Sequence, residues 1–120
     1  MTISATISVI TADYHDKQQA QDVMTCLSAY ALDPMGGGEA LSEFVKENLI
    51  TQLQQQSNVF SVLCYVDGNV AALANCVEGF STFSCKPLVN IHDCGVLNQF
   101  RGLGLSLKMF EEVERIARER

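Results

Sequence analysis

Basic residues are scarce in this chain: eight Lys and Arg stand against 14 Asp and Glu, a formal charge of −6. Nucleic-acid binding draws its affinity from clustered cations that displace counterions, so this balance argues against a nucleic-acid partner. A membrane span needs about 20 consecutive apolar residues, and the sequence contains no such run. No basic residue precedes an apolar stretch in Met1-Thr2-Ile3-Ser4-Ala5-Thr6, so neither a secretory leader nor a membrane partner is expected and a cytoplasmic location follows by default. Close cysteine pairs are missing too. The five cysteines, Cys26, Cys64, Cys76, Cys85 and Cys94, are separated by 38, 12, 9 and 9 positions, which matches neither a disulfide framework nor a zinc site. They read as reduced, mostly buried thiols.

What is present is apolar content: 48% of 120 residues, enough for one continuous core and too short for two, so residues 1–120 read as a single domain. Residues 6–11 (Thr-Ile-Ser-Val-Ile-Thr) largely alternate apolar and polar side chains, as a strand does. Residues 15–31 switch to helical spacing through Ala20, Val23, Met24 and Leu27, with Asp13 or Asp16 available as cap. Pro34 and three glycines, Gly36 to Gly38, break that helix into a loop over 33–38. Leu41, Phe44, Val45, Leu49 and Leu53 predict a second helix from Glu39 to about Gln55, with Glu39 and Glu43 near its positive end. Two β-rich runs, 59–66 and 70–80, flank Asp67-Gly68-Asn69, a hairpin signal. A further strand is expected over 88–97. The last helix, 103–120, is expected to turn Leu103, Leu107, Phe110, Val113, Ile116 and Ala117 inward, with Glu111/Arg115 and Glu114/Arg118 as ion pairs along its surface. The order is β-α-α-β-β-β-α, an α/β (α+β) chain.

Chemistry concentrates where the 88–97 strand meets the last helix. Helix-initial amides point outward, unpaired and partly positive, which makes an anion site. Gly102 and Gly104 leave those amides uncovered, Ser106 adds a hydroxyl, and Lys86, Arg101 and Lys108 lie close in sequence. Gly102-x-Gly104 fits neither a dinucleotide-binding nor a P-loop spacing. A plain tight turn and a nucleotide site both remain open on these residues alone. The strand itself carries Asn90, His92 and Asp93, polar groups that are costly to bury without partners. His92 is a candidate general base, since imidazole accepts protons near neutral pH; a hydrogen-bonded structural histidine is the alternative. Asp93 reads more readily as a structural carboxylate, fixing a neighbouring backbone or helix end. Alternation places His92 and Cys94 on one face and Asp93 on the other unless a bulge resets the phase. His92 and Cys94 offer only two metal ligands, so no metal site is expected, and Cys94 as nucleophile lacks an evident activating base.

The run Gln99-Phe100-Arg101-Gly102-Leu103-Gly104 resembles the Q/R-x-x-G-x-G/A signature of the GNAT superfamily of acetyl-coenzyme A-dependent N-acetyltransferases. The order of elements is similar as well. The resemblance implies a mixed, mostly antiparallel sheet and an acetyl-CoA (coenzyme A) cofactor. It further implies that backbone of Cys94, Gly95 and Val96 pairs with the pantetheine arm. Amides of Arg101, Gly102, Leu103, Gly104, Leu105, Ser106 and Leu107 would hold the pyrophosphate, with Gln99 bordering the loop. His92 and Asp93 occupy the place where the family often carries a catalytic carboxylate, His92 being a departure. The implied function is acetyl transfer to a small-molecule or peptide amine by direct attack. Similar proteins continue into a further strand, helix and strand pair, so this chain is expected to lack that part and to form a homodimer that covers the exposed strand edge. The competing expectation is a truncated, non-catalytic coenzyme A-binding or oligomerisation module.

Overall fold

A computed structural model describes residues 5–120, and the amino-terminal residues 1–4, part of the segment examined for a leader, lie outside the described residues. Strand β1 (Ile7–Thr11) is followed by helices α1 (Lys17–Leu32) and α2 (Glu43–Gln54), strands β2 (Val59–Val66), β3 (Asn69–Ser81) and β4 (Lys86–Val96), and helix α3 (Leu105–Glu119). The four strands form one antiparallel sheet in the order β1-β2-β3-β4. The antiparallel sheet with its three helices is the α/β (α+β) architecture expected from the sequence, and all of its strand pairs among the described residues are antiparallel.

Each element starts where its chemistry dictates. Asp16, rather than Asp13, caps α1 by accepting from the Gln19 amide at 2.9 Å. Ser42 caps α2 in the same way, accepting from Val45 N at 3.2 Å, so that helix begins at Glu43 and not at Glu39. The β2–β3 hairpin closes through Asp67 (φ 51°) and Gly68 (φ 83°), both left-handed as a twist-matched two-residue turn requires. Asn69 is already paired with Val66 in the sheet.

Strand alternation divides the core into two layers. Phe60, Val62, Cys64 and Val66 of β2 face Leu105, Met109, Val113 and Ile116 of α3. Leu63 and Leu73 face the opposite way, against Val23, Cys26 and Leu27 of α1. Helix α2 contributes no fully buried residue, and Phe44, expected inward, is 72% exposed. The inward face of α3 is also rotated from the expected one: Leu103, Leu107 and Phe110 are exposed while Leu105 and Met109 are buried. The surface ion pairs shift with it, Arg115 pairing with Glu112 and Glu119 instead of Glu111, whereas Arg118 pairs with Glu114 as expected. Among the described residues no helix is long and apolar enough to cross a membrane, and no group of three or more side chains could hold a metal ion.

Candidate functional site

The turn between β4 and α3 is shaped by two left-handed glycines, Gly102 (φ 87°) and Gly104 (φ 73°), with no atom near enough to meet an added Cβ at either. Conformation, not crowding, requires glycine here, because an L side chain at positive φ costs about 1 kcal/mol or more. The Phe100 and Arg101 amides turn back to Leu97 O (2.9 Å) and Asn98 O (3.3 Å). The next amide satisfied within the chain is that of Lys108, by Gly104 O at 3.4 Å. Six successive amides, Gly102 through Leu107, thus have no acceptor among the described residues, and the α3 dipole adds partial positive charge to the same spot.

The run borders a cleft of about 870 Å³ lined on one side by Cys94, Gly95 and Val96 of β4, on another by Tyr30 and Asp33 at the end of α1, and closed by Arg101 and by Gly102, Gly104, Leu105 and Ser106 of the run itself. Gly95 lies against the Tyr30 ring so closely that an added Cβ would stand 2.9 Å from Tyr30 Cδ1. Among the described residues β4 pairs only with β3, so its outer edge leaves alternate backbone groups free beside the cleft. Uncovered amides, a cationic neighbour and a strand edge with unspent backbone groups fit a long polyphosphate ligand such as coenzyme A.

Not every expected residue converges here. Gln99 lines a separate cleft with Asp16, Asp22 and Tyr65, and Leu103 and Leu107, whose side chains are exposed, do not line the cleft. Burial raises the pKa of the Cys94 thiol, an effect that the neighbouring Ser106 hydroxyl only partly offsets. Lys86 sits at the far end of β4, paired with Ser81, roughly 33 Å of extended chain from Val96, so it lends no charge to the turn. Arg101 donates to Asp33 Oδ2 at 2.9 Å and to Val96 O at 3.3 Å.

Neither His92 nor Asp93 lines the cleft itself. Asn75 pairs with Asp93 while the adjacent Cys76 pairs with Ile91, so His92 is the extra residue of a β-bulge and is exposed. Asp93 is half-buried and accepts from Asn75 Nδ2 at 3.2 Å. Asn75 Oδ1 in turn accepts from Ser61 Oγ at 2.6 Å, and Ser61 Oγ lies 2.7 Å from the Tyr14 hydroxyl. Sequence reasoning missed Tyr14, Ser61 and Asn75, because nothing in the local pattern reveals which residues of three strands share a row.

A four-stranded antiparallel sheet with a glycine-opened strand-to-helix turn at its edge defines the class of fold, and the family follows from the sequence itself. The profile of the Acetyltransferase (GNAT) family matches residues 20–120, and the chain belongs to that family. Solved structures agree on the fold. A ribosomal-protein-alanine N-acetyltransferase from Brucella melitensis superposes with TM-score 0.71 at 16% identity, over 96% of this chain and 73% of that one. An aminoglycoside acetyltransferase from an uncultured soil metagenomic sample, in complex with sisomicin, gives 0.72 at 16%, over 94% and 70%. A predicted acetyltransferase from Clostridium acetobutylicum, with acetyl-CoA, gives 0.70 at 15%, over 96% and 75%. No curated protein matches the sequence. Family and fold together support acetyl transfer as the general chemistry.

Proposed function

We propose that the protein transfers an acetyl group from acetyl-coenzyme A to an amine, which attacks the thioester directly. The observation that carries this reading is the run of six unsatisfied amides, Gly102 to Leu107, of which Gly102, Gly104, Leu105 and Ser106 line a cleft walled by the end of β4. Bound there, the cofactor would supply an acetyl group already activated as a thioester. The chain's part is to hold and orient. Amides 102–107 and Arg101 hold the pyrophosphate, and the free edge of Cys94, Gly95 and Val96 holds the pantetheine arm. Fixing both reactants lowers the barrier by proximity.

The proton leaving the amine goes to the bulged segment of β4. Asp93 is the better placed acceptor, since a hydrogen bond from Asn75 fixes its carboxylate; His92, exposed on the bulge, is the alternative. The acceptor is a small-molecule or peptide amine, the class to which aminoglycosides belong, and a homodimer covers the free edge of β4. Five unpaired thiols suit the reducing cytoplasm, where we place the reaction.

Thiol release from acetyl-CoA in the presence of kanamycin, spermidine or an alanine-terminated peptide tests the proposal. Turnover with one of these, lost in Asp93→Asn or His92→Ala and accompanied by loss of coenzyme A binding in Gly102→Asp, supports it. A second reading is favoured by the unpaired β4 edge next to exposed Ile91, Leu103, Leu107 and Phe110: a non-catalytic coenzyme A-binding or oligomerisation module. Stable dimers with no turnover on any of the three amines would select it.

A further inference from the structure

Ser61 of β2, Asn75 of β3 and Asp93 of β4 are direct cross-strand partners, Ser61 opposite Asn75 and Asn75 opposite Asp93. They form a single row of polar side chains across the sheet, beneath the α1–α2 layer. Ser61 is completely buried. Tyr14, in the connection between β1 and α1, ends the row, and its own carbonyl accepts from Gln54 Nε2 at the end of α2, at 3.0 Å. A core row that could hold apolar side chains instead carries four polar ones, each with a partner.

The direction of the protons in this row is determined. Asn75 Nδ2 donates to Asp93, which leaves Asn75 Oδ1 facing Ser61 and obliges Ser61 to donate. A hydroxyl has one proton. With it committed to Asn75, Ser61 Oγ can only accept from Tyr14, so the Tyr14 hydroxyl donates. Burial, the largest influence on it, raises the Tyr14 pKa, which keeps the phenol protonated and able to play that part. Each link fixes a freedom of the next: Tyr14 sets the Ser61 hydroxyl rotor, and Ser61 sets which way the Asn75 amide faces. Without the Ser61 hydroxyl that amide loses the partner of its oxygen and is held only through Nδ2 by Asp93, so its plane is no longer fixed from both ends.

We infer that Tyr14, Ser61 and Asn75 are positioning residues that orient Asp93 as the proton acceptor for acetyl transfer. The inference rests on the reading of Asp93 given above, and it assigns a role to three residues remote from the cleft. Asn75 acts on Asp93 directly, and Tyr14 acts only through the other two. Hydrogen bonds in such a chain strengthen one another, so removing one link weakens the orientation that the remaining links impose on Asp93.

Steady-state kinetics on the full chain, with acetyl-CoA and whichever of kanamycin, spermidine or the alanine-terminated peptide is turned over fastest, test this. Tyr14→Phe keeps the ring and removes only the donor. Its kcat is expected to fall about fivefold to tenfold, the effect of one lost hydrogen bond, with KM for acetyl-CoA unchanged. Ser61→Ala is expected to match it, and the double variant to be no slower than the slower single variant. A structural role alone would lower the folded fraction and the thermal midpoint without this kcat-against-KM split or the non-additivity. If Asp93→Asn is slow while Tyr14→Phe and Ser61→Ala turn over as the unsubstituted chain does, the positioning role is overturned and the proton-acceptor role stands. If Asp93→Asn itself turns over normally, or no amine is acetylated, the reading of Asp93 fails and this inference fails with it.

Discussion

Asp33 and Arg101, 68 positions apart, meet at 2.9 Å across the mouth of the cleft. Asp33 uses both carboxylate oxygens: Oδ1 accepts from the Met35 amide at 2.9 Å and Oδ2 from the Arg101 guanidinium. Arg101 also reaches Val96 O, so one side chain ties the glycine-rich 33–38 loop to the end of β4 and to the amide-lined turn. The same guanidinium belongs to the residue directly before the six free amides and lines the cleft, whereas Lys108, directly after them, does not. The position of the loop and the proposed anion site are therefore linked through a single charge.

The first prediction follows from the Asp33 carboxyl, whose pKa is lowered chiefly by the Met35 amide and then by Arg101. A carboxyl depressed in the folded state contributes stability that is complete above its unfolded value, about 3.9, and is lost as pH falls through the folded value. Thermal midpoints of the unsubstituted chain and of Asp33→Asn should differ in favour of the former at pH 6. The difference should shrink below about pH 4 and vanish once the native carboxyl is protonated. A difference that stays constant down to pH 2 would assign the contribution to packing instead.

Gly95→Ala should weaken the site from within the fold. The added methyl would stand 2.9 Å from Cδ1 of the Tyr30 ring and 3.3 Å from its Cβ, so the ring or the strand has to move. Overpacking of this kind costs about 1–3 kcal/mol. Chemical denaturation should show that loss, and the double variant Gly95→Ala/Tyr30→Ala should recover part of it, because the collision is removed. Gly102→Ala meets no neighbouring atom, so its cost should come from the left-handed backbone alone and should not depend on Tyr30.

The turn at Gly102 and Gly104 was legible in the sequence because it depends on local backbone conformation, as was the Asp67-Gly68 hairpin. The face of α3 was not. Leu103, Leu107 and Phe110 recur at helical spacing as convincingly as Leu105, Met109, Val113 and Ile116, and both stripes are apolar. Which stripe faces the sheet is set by where the helix leaves the left-handed Gly104, a feature of three-dimensional chain direction. The polar row from Tyr14 to Asp93 was hidden for a related reason. Shifts at Cys64/Tyr65 and at Asn75/Cys76 reset the register, so residue spacing along the chain does not reveal who is opposite whom. Lys86 misled in the opposite sense: near the turn in sequence, it is removed from it by the length of an extended strand.

The two stripes of α3 should respond differently to truncation. Met109→Ala deletes a side chain with no exposed surface and should cost about 2–5 kcal/mol through lost burial and the cavity left behind. Leu107→Ala, 63% exposed, should stay within about 0.5 kcal/mol in the monomer. The same pair reports on assembly. If a second copy covers the β4 edge and the adjoining outer face of α3, Leu107→Ala should lower the sedimentation mass at a protein concentration where the unsubstituted chain is dimeric. An unchanged mass would place the interface elsewhere.

Thiol reactivity offers a readout of cofactor binding that does not require turnover. Cys26, Cys64 and Cys76 are buried, and burial pushes their pKa values up, Cys26 to about 12 and Cys76 to about 11. Thiolate is the reacting species, so these three should resist iodoacetamide in the native protein. Cys85 is exposed in the β3–β4 connection and should react first. Cys94 is half-buried in the cleft wall, with burial as the dominant influence on its raised pKa, and should follow more slowly. Saturating coenzyme A should slow Cys94 further and leave Cys85 unchanged, as peptide mass mapping of timed alkylation would show. Protection of neither thiol in the unsubstituted chain would remove Cys94 from the cofactor's path. Protection of Cys94 that disappears in Gly102→Asp would tie that path to the turn.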